Sequence, residues 1–218
     1  MQPSGEPEHA LREKITGVNL MEVAATAITG RVIVEGEAKP TKHGVKSPVF
    51  SFMRLQGAEP LTGVEMVSTG EVACFGADFK EAFITSLIAA GFKMPVKGDP
   101  VLITVGEDKE RAIKIAAKIN EKGYELYATQ HTCDAIRSAG IPCEYVYKIS
   151  EGKKPSVLDL LEARKVKMVI NSPSHSRVDE KALSDGYTIR RKTVEFGIPL
   201  VTNMELAEAL AEAIKADP

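Results

Sequence analysis

The most constraining feature of the chain is a regular alternation of apolar runs and amphipathic segments in its second half. Each apolar run has the length of a strand, and each amphipathic segment repeats apolar residues at helical spacing. Strands that are apolar on both sides belong to parallel sheets, because helices cover both faces of such a sheet. The pattern predicts an α/β three-layer sandwich around a five-stranded parallel sheet. The predicted strands are 101–105, 124–128, 143–148, 166–170 and 199–202.

The first half of the chain has a different organisation. Residues 1–14 are polar and lack an apolar period, so we predict a disordered leader. Helical spacing predicts helices over 20–29 and 79–90, with Asn19 and Asp78 as caps. Two strands are predicted at 48–53 and 71–75. The Gly- and Pro-rich stretch at 91–100 is predicted to be the domain boundary.

Composition excludes several classes of function. The net charge of -2 supplies no basic field for nucleic acid or a membrane surface, and no apolar run approaches the roughly 18 residues of a membrane-spanning helix. The three cysteines form no Cys-x-x-Cys pair and no segment resembles a secretion signal, which favours a cytoplasmic protein. The four histidines lack metal-ligand spacing, so no metal site is expected.

Polar residues follow four of the five predicted strands, at the edge where the carboxyl ends of the strands meet. Ligands of open parallel sheets bind at this edge, where helix amino ends offer N–H groups and partial positive charge. Lys109 and Lys148 follow different strands, and Thr129, Thr132 and Asn171 add hydroxyl and amide groups. Such groups bind a phosphate or a carboxylate through charge-assisted hydrogen bonds. For any single residue, the alternative is a helix cap or a solvated lysine.

The motifs of common nucleotide enzymes are absent from the sequence. No Gly-x-Gly-x-x-Gly follows the strand at 101–105, and no P-loop motif occurs. His131 and His175 fall at the predicted edge, but acid–base catalysis also needs a positioned carboxylate or nucleophile. Asp108 is better explained as a first-turn helix residue and Cys133 as a small buried side chain. The residues alone therefore favour binding over catalysis.

Several strings resemble one family. Ser-Thr-Gly-Glu-Val-Ala-Cys-Phe-Gly at 68–76, with Gly-Phe-Lys at 91–93, resembles the end of the second ATP-grasp unit of carbamoyl-phosphate synthase large subunits. The strings at 16–20 and 46–50 are also similar to that family. Residues 101–216 resemble its C-terminal allosteric domain, which has a methylglyoxal-synthase-like fold with strand order 3-2-1-4-5. The resemblance implies a partial ATP-grasp α+β segment at 15–96 and a methylglyoxal-synthase-like allosteric domain at 97–218.

The resemblance also implies a set of effector-binding residues. Bacterial members bind nucleotide monophosphates such as UMP or IMP through two lysines, two threonines and an Asn-Thr-Thr loop. This protein departs from that loop at Pro173, which has neither a hydroxyl nor an N–H to donate. Family members of the urea-cycle type bind N-acetylglutamate instead, so both classes of effector stay open. The predicted effector-binding residues are Thr104, Lys109, Thr129, Thr132, Lys148, Asn171 and Ser172.

The implied function is regulation of carbamoyl-phosphate synthase, in arginine and pyrimidine biosynthesis, rather than catalysis by this chain. The Glu-x-Asn-x-Arg metal-binding segment of ATP-grasp enzymes does not precede Thr16. We therefore expect no cofactor in this chain, and ATP and magnesium only in the complete synthase. The expected partners are the small anionic effector, the remaining large-subunit segments and a small amidotransferase subunit.

Two alternatives belong to other classes. Methylglyoxal synthase, a phosphate lyase, shares the sandwich but needs a catalytic aspartate in a Gly-Asp loop after the third strand. Here that loop reads Ser-Glu-Gly-Lys-Lys-Pro at 150–155, although Asp159 follows one turn later. The other alternative is a non-catalytic interface module that dimerises through exposed Phe50, Phe52 and Phe92.

Overall fold

The computed structural model describes residues 6–31, 39–52, 57–61, 68–173 and 185–214. The protein divides into two units, one formed by Met1–Val49 with Gly70–Gly91 and the other by Phe50–Thr69 with Phe92–Pro218. The segment between Val49 and Gly70 therefore groups with the second unit, although the residues on either side of it in the sequence group with the first.

The described residues of the first unit form two antiparallel strands and three helices. The strands pair from His43 opposite Gly76 to Val49 opposite Gly70. The third helix, whose Phe83 is buried, packs against both of them. The elements are α1 (Glu6–Thr16), α2 (Leu20–Ile28), β1 (His43–Val49), β2 (Gly70–Gly76) and α3 (Phe79–Ala89).

The predicted helix caps of this unit are confirmed. The side chain of Asn19 accepts a hydrogen bond from the backbone N–H of Glu22 at 3.0 Å. That of Asp78 accepts one from the N–H of Glu81 at 2.8 Å, so both satisfy donors that a helix start leaves unpaired. Just before α3, Gly76 admits no side chain, because a Cβ there would lie 2.5 Å from the backbone nitrogen of Ala82.

Two features of this region differ from the sequence prediction. Residues 6–16 form α1 rather than part of a disordered leader; Ile15 lies against Gly44 of β1, a long-range contact that local polarity does not reveal. The strand predicted at 48–53 lies earlier, at His43–Val49. It ends there because the pairing with β2 ends at Val49.

The second unit contains a five-stranded, wholly parallel sheet in the order β5-β4-β3-β6-β7. In sequence order within the unit this is 3-2-1-4-5, as predicted. The strands are β3 (Pro100–Val105), β4 (Glu125–Thr129), β5 (Glu144–Val146), β6 (Met168–Ser172) and β7 (Leu200–Val201). The helices are α4 (Lys109–Glu121), α5 (Gln130–Ser138), α6 (Val157–Glu162), α7 (Asp185–Glu195) and α8 (Met204–Ala213).

The sheet is covered by helices in two groups, as a three-layer sandwich requires. Helix α4 packs against α5 and α8, whereas α6 packs against α7. The central strand β3 is buried along almost its whole length, and Leu102 lies in a core cluster with Val169 of β6 and Ile189 of α7. The two edge strands, β5 and β7, are short, with three and two residues.

The aromatic residues proposed for an interface are not exposed. Phe50, Phe52 and Phe92 are each half-buried, and the first two stack with ring centroids 5.1 Å apart. That part of the interface hypothesis is wrong, because these rings already have partners or cover. Among the residues that the structure describes, the large apolar side chains that are more than half exposed are Met21, Ile28, Phe79, Ile88 and Val96.

Candidate functional site

The first predicted lysine lies at the carboxyl end of the central strand. Lys109 is the first residue of α4, and its ammonium donates to the carbonyl of Val105 and, at 2.8 Å, to the hydroxyl of Thr132. Thr132, which is 1% exposed, also donates to the Val105 carbonyl at 3.3 Å. Lys109 therefore connects the carboxyl end of β3 to the amino end of α5.

The second predicted lysine, Lys148, affects the pKa of the first. Lys148 directly precedes a 3-10 turn, Ile149–Glu151, that follows β5. Burial and the charge of Lys148 both lower the pKa of Lys109. Two positive charges that interact in this way favour a bound anion, because an anion between them relieves their repulsion.

Thr104 and Asn171 are brought together on neighbouring strands. They are opposite each other in the β3–β6 register, and the amide nitrogen of Asn171 donates to the Thr104 hydroxyl at 2.6 Å. Both side chains are buried, at 6% and 4% exposure. A buried polar pair at the ends of central strands supplies neutral hydrogen-bonding groups at the same edge of the sheet.

Thr129 and Ser172 complete the predicted set. Thr129 is buried at the junction of β4 and α5. It occupies the N-cap position of α5, but its side chain makes no hydrogen bond to the helix N–H groups. Ser172 ends β6, and its carbonyl accepts from the N–H of Gly106 at 3.3 Å. All seven predicted residues lie at the ends of strands β3 to β6, just after β5, or in the first turns of helices α4 and α5. Direct side-chain contacts join Thr104 to Asn171 and Lys109 to Thr132.

Sequence reasoning missed Arg190, which contacts this edge from α7. Its guanidinium donates to the carbonyl oxygen of the Asn171 side chain at 2.7 Å, and its side chain is 6% exposed. The only sequence signal was an arginine pair beside the apolar Ile189 in a predicted helix, where long charged side chains are usually solvated.

The other candidates have structural roles or lie apart. Asp108 was predicted as a first-turn helix residue; it lies one residue earlier and caps α4 by accepting from the Arg111 N–H at 3.3 Å. His131 is exposed, and His175 lies outside the described residues. Cys133 is fully buried. Burial and a hydrogen bond with Cys133 raise the pKa of Cys143 well above its usual range, which disfavours a thiolate nucleophile.

Asp159, the carboxylate nearest to the lyase pattern, is engaged as a helix cap. One of its oxygens accepts from the backbone N–H and the hydroxyl of Ser156, at 2.8 and 2.6 Å, while Lys154 lies 3.1 Å from the other. These hydrogen bonds lower the pKa of Asp159 to about 2. So strong an acid is a poor general base, which weakens the lyase alternative.

Two other kinds of feature are absent from the described ranges. Within residues 6–31, 39–52, 57–61, 68–173 and 185–214, no three or more His, Cys, Asp or Glu side chains are grouped to hold a metal ion. Over the same ranges, no helix has the length and apolar character needed to cross a membrane.

Comparison with known proteins identifies the family. A family model described as "MGS-like domain" matches residues 111–202. The protein is 41% identical over 212 residues to multifunctional protein pyr-3 of Neurospora crassa, covering 92% of this sequence and 12% of that protein. It is 36% identical to the C-terminal section of the carbamoyl phosphate synthase large subunit of Methanopyrus kandleri, covering 93% and 38%.

The human mitochondrial carbamoyl-phosphate synthase [ammonia] is 34% identical, covering 93% of this sequence and 14% of the human protein. The protein thus spans between about a tenth and two fifths of the length of these relatives, while matching them along nearly all of its own. It belongs to the family formed by the C-terminal regions of carbamoyl-phosphate synthase large subunits, which contain an MGS-like domain.

Proposed function

We propose that this protein is the effector-binding, regulatory part of a carbamoyl-phosphate synthase, and that it binds a small anion at the carboxyl edge of its parallel sheet. The observation that carries the proposal is the set of polar groups at the carboxyl ends of the strands, where Lys109 donates to the Thr132 hydroxyl at 2.8 Å and Asn171 donates to Thr104 at 2.6 Å. The charge of Lys148, which helps to lower the pKa of Lys109, adds a second positive group. Similarity to synthase large subunits along nearly the whole sequence supports the same function.

Regulation requires the rest of a synthase. The effector is proposed to bind one state of the enzyme better than another, and such coupling is usually worth ~1–3 kcal/mol. The proposed partners are the other large-subunit segments, which carry ATP-grasp chemistry with ATP and magnesium, and a small amidotransferase subunit. The proposed pathways are arginine and pyrimidine biosynthesis, and the proposed location is the cytoplasm.

Two effector classes fit the groups at this edge. A nucleotide monophosphate would place its phosphate between the lysines, with Thr129, Thr132 and Asn171 as neutral donors. Pro173 removes one backbone donor from the loop after β6, which favours a ligand that makes fewer hydrogen bonds there. N-acetylglutamate, with carboxylates in place of a phosphate, meets that requirement.

A thermal-shift screen tests the proposal and separates the two classes. The ligands are UMP, IMP, ornithine, N-acetylglutamate and inorganic phosphate. A ligand at about 100 times its dissociation constant adds about 2.7 kcal/mol to the free energy of unfolding, so binding is visible as a raised Tm. A shift with the nucleotides or with N-acetylglutamate assigns the class. No shift with any anion would contradict the proposed function.

Anion binding is expected to weaken as pH rises through the lowered pKa of Lys109. Burial and Lys148 favour the neutral amine, which has no charge to offer an anion, so binding at alkaline pH must be accompanied by proton uptake. Without ligand, the free energy of unfolding changes in the opposite direction and rises over the same pH range. The reason is that Lys109 stays protonated to a higher pH in the unfolded state than in the folded state. Calorimetry with inorganic phosphate, in buffers of different ionisation heat, measures the uptake.

Lys109→Arg is the matched control for this pH dependence. Its guanidinium stays protonated throughout the range, so the variant is expected to bind without proton uptake or alkaline loss. A wild-type affinity that does not change with pH would show that Lys109 does not contact the anion.

A further inference from the structure

Arg190 is the centre of a hydrogen-bonded network that connects Asn171 of the candidate site to Glu59, which is not one of the site residues. Two of its nitrogens donate hydrogen bonds to the two carboxylate oxygens of Glu59, at 2.6 and 3.1 Å. Its third nitrogen donates to the amide oxygen of Asn171 at 2.7 Å. The side chain of Arg190 is 6% exposed and that of Glu59 is 24% exposed, so this ion pair is shielded from water on the arginine side.

The arginine determines which way the Asn171 amide faces. A guanidinium can only donate hydrogen bonds, so it must meet the oxygen end of the amide. The nitrogen end then lies toward Thr104, to whose hydroxyl it donates at 2.6 Å. The group beside Thr104 is therefore the amide NH2, which has a second N–H that can donate to an anion, rather than the amide oxygen, which would repel one.

The helix that carries Arg190 also contacts the segment that holds Glu59. The hydroxyl of Tyr187 donates to the Gly57 carbonyl at 2.9 Å, and Arg191 donates to the carbonyls of Phe52 and Ala58 at 3.2 and 3.1 Å. Arg190 and Arg191 lie three and four residues after Tyr187, so all three side chains project from one side of α7.

The same helix is tied to the turn that follows Lys148. The carboxylate of Asp185, the first residue of α7, accepts from the N–H and the hydroxyl of Ser150, at 2.9 and 2.6 Å. One helix thus contacts Asn171, the turn beside Lys148 and the segment that contains Glu59.

We propose that the Glu59–Arg190 ion pair positions the Asn171 amide for anion binding and couples occupancy of the anion site to residues 57–59. The coupling rests on the proposed function, whereas the positioning concerns the ligand-free protein. Because coupling is reciprocal, a bound anion must restrain residues 57–59 and a weakened ion pair must weaken anion binding.

The test compares Glu59→Gln with the wild-type protein. Glutamine keeps the shape of the side chain but loses the charge and sets an N–H against the guanidinium. The first measurement, without ligand, is hydrogen exchange of the Asn171 side-chain amide by ¹⁵N NMR, with its signal assigned through Asn171→Ser. The second is inorganic phosphate affinity by calorimetry. Glu195→Gln is the matched control, because it removes a carboxylate paired with Arg191 on the same helix.

We expect Glu59→Gln to speed exchange of the Asn171 amide and to weaken phosphate binding at least about fivefold, with Glu195→Gln near wild type in both. Phosphate is also expected to slow exchange at the backbone of 57–59 in the wild type. Arg190→Lys, which cannot hold the carboxylate and Asn171 together, should give the same two changes and replaces Glu59→Gln if that variant folds poorly.

Each outcome decides one part of the proposal. An Asn171 signal unchanged in Glu59→Gln would overturn the positioning role whether or not phosphate binds. A changed signal with unchanged phosphate affinity would overturn the coupling and leave the proposed function intact. No phosphate binding by the wild type, together with no shift in the ligand screen, would overturn the proposed function and the coupling with it.

Discussion

Lys148→Ala is expected to weaken binding of the anionic effector by roughly a hundredfold, the loss of a charge-assisted hydrogen bond worth up to about 3 kcal/mol. The fold should be retained, because the backbone N–H of residue 148 keeps its hydrogen bond to Glu151, 3.0 Å long. Calorimetry with the ligand identified by the thermal-shift screen measures the change.

A second readout shows whether the substitution reaches the site. The charge of Lys148 helps to lower the pKa of Lys109, so its removal should raise that pKa even without ligand, as NMR titration of the Lys109 side chain can detect. Lys153→Ala is the matched control, because it removes the same charge from an exposed lysine of the same loop. The ammonium nitrogen of Lys153 lies 5.4 Å from the centre of the Tyr147 ring. Unchanged affinity in Lys148→Ala would exclude this lysine from the binding site.

Leu102→Ala is expected to destabilise the second unit by about 3–4 kcal/mol, near the middle of the range for leucines whose removal leaves a cavity. Leu102 is fully buried in the central strand, where Val169 of β6 is its register partner. The neighbours on both sides are held by the sheet, so the cavity cannot collapse fully. Urea unfolding, followed by far-ultraviolet circular dichroism, gives the free energy of unfolding.

The control for this core substitution is Val96→Ala, at a side chain that is 60% exposed. It should change the free energy of unfolding by no more than about 0.5 kcal/mol, as is usual for surface positions. A loss below about 1 kcal/mol in Leu102→Ala would mean that β3 is not the packed centre of the sheet.

Local sequence pattern was sufficient to predict most of this fold. The five strands and their helices follow from apolar periodicity, because a wholly buried parallel strand has no polar face to obscure it. The caps at Asn19 and Asp78 were predictable because cap chemistry lies within four residues. The strand order came from the family resemblance instead, since periodicity identifies strands but not their neighbours.

The features that sequence could not reveal are those made by distant partners. Glu59 and Arg190 lie 131 residues apart, and nothing local distinguishes either from a solvated surface charge. The same is true of α1, whose Ile15 meets Gly44. Among the site residues, the positions of Lys109 and Lys148 after strand ends were predictable, whereas the lowered pKa of Lys109 required the three-dimensional arrangement.

The shortness of the two edge strands has a consequence for behaviour at high concentration. An edge strand leaves a row of N–H and C=O groups with which another polypeptide can pair, and long flat edges promote aggregation. With three residues in β5 and two in β7, each edge offers a foreign strand a very short template. Aggregation by strand addition to this sheet is therefore disfavoured by its geometry, even though its interior strands are strongly apolar.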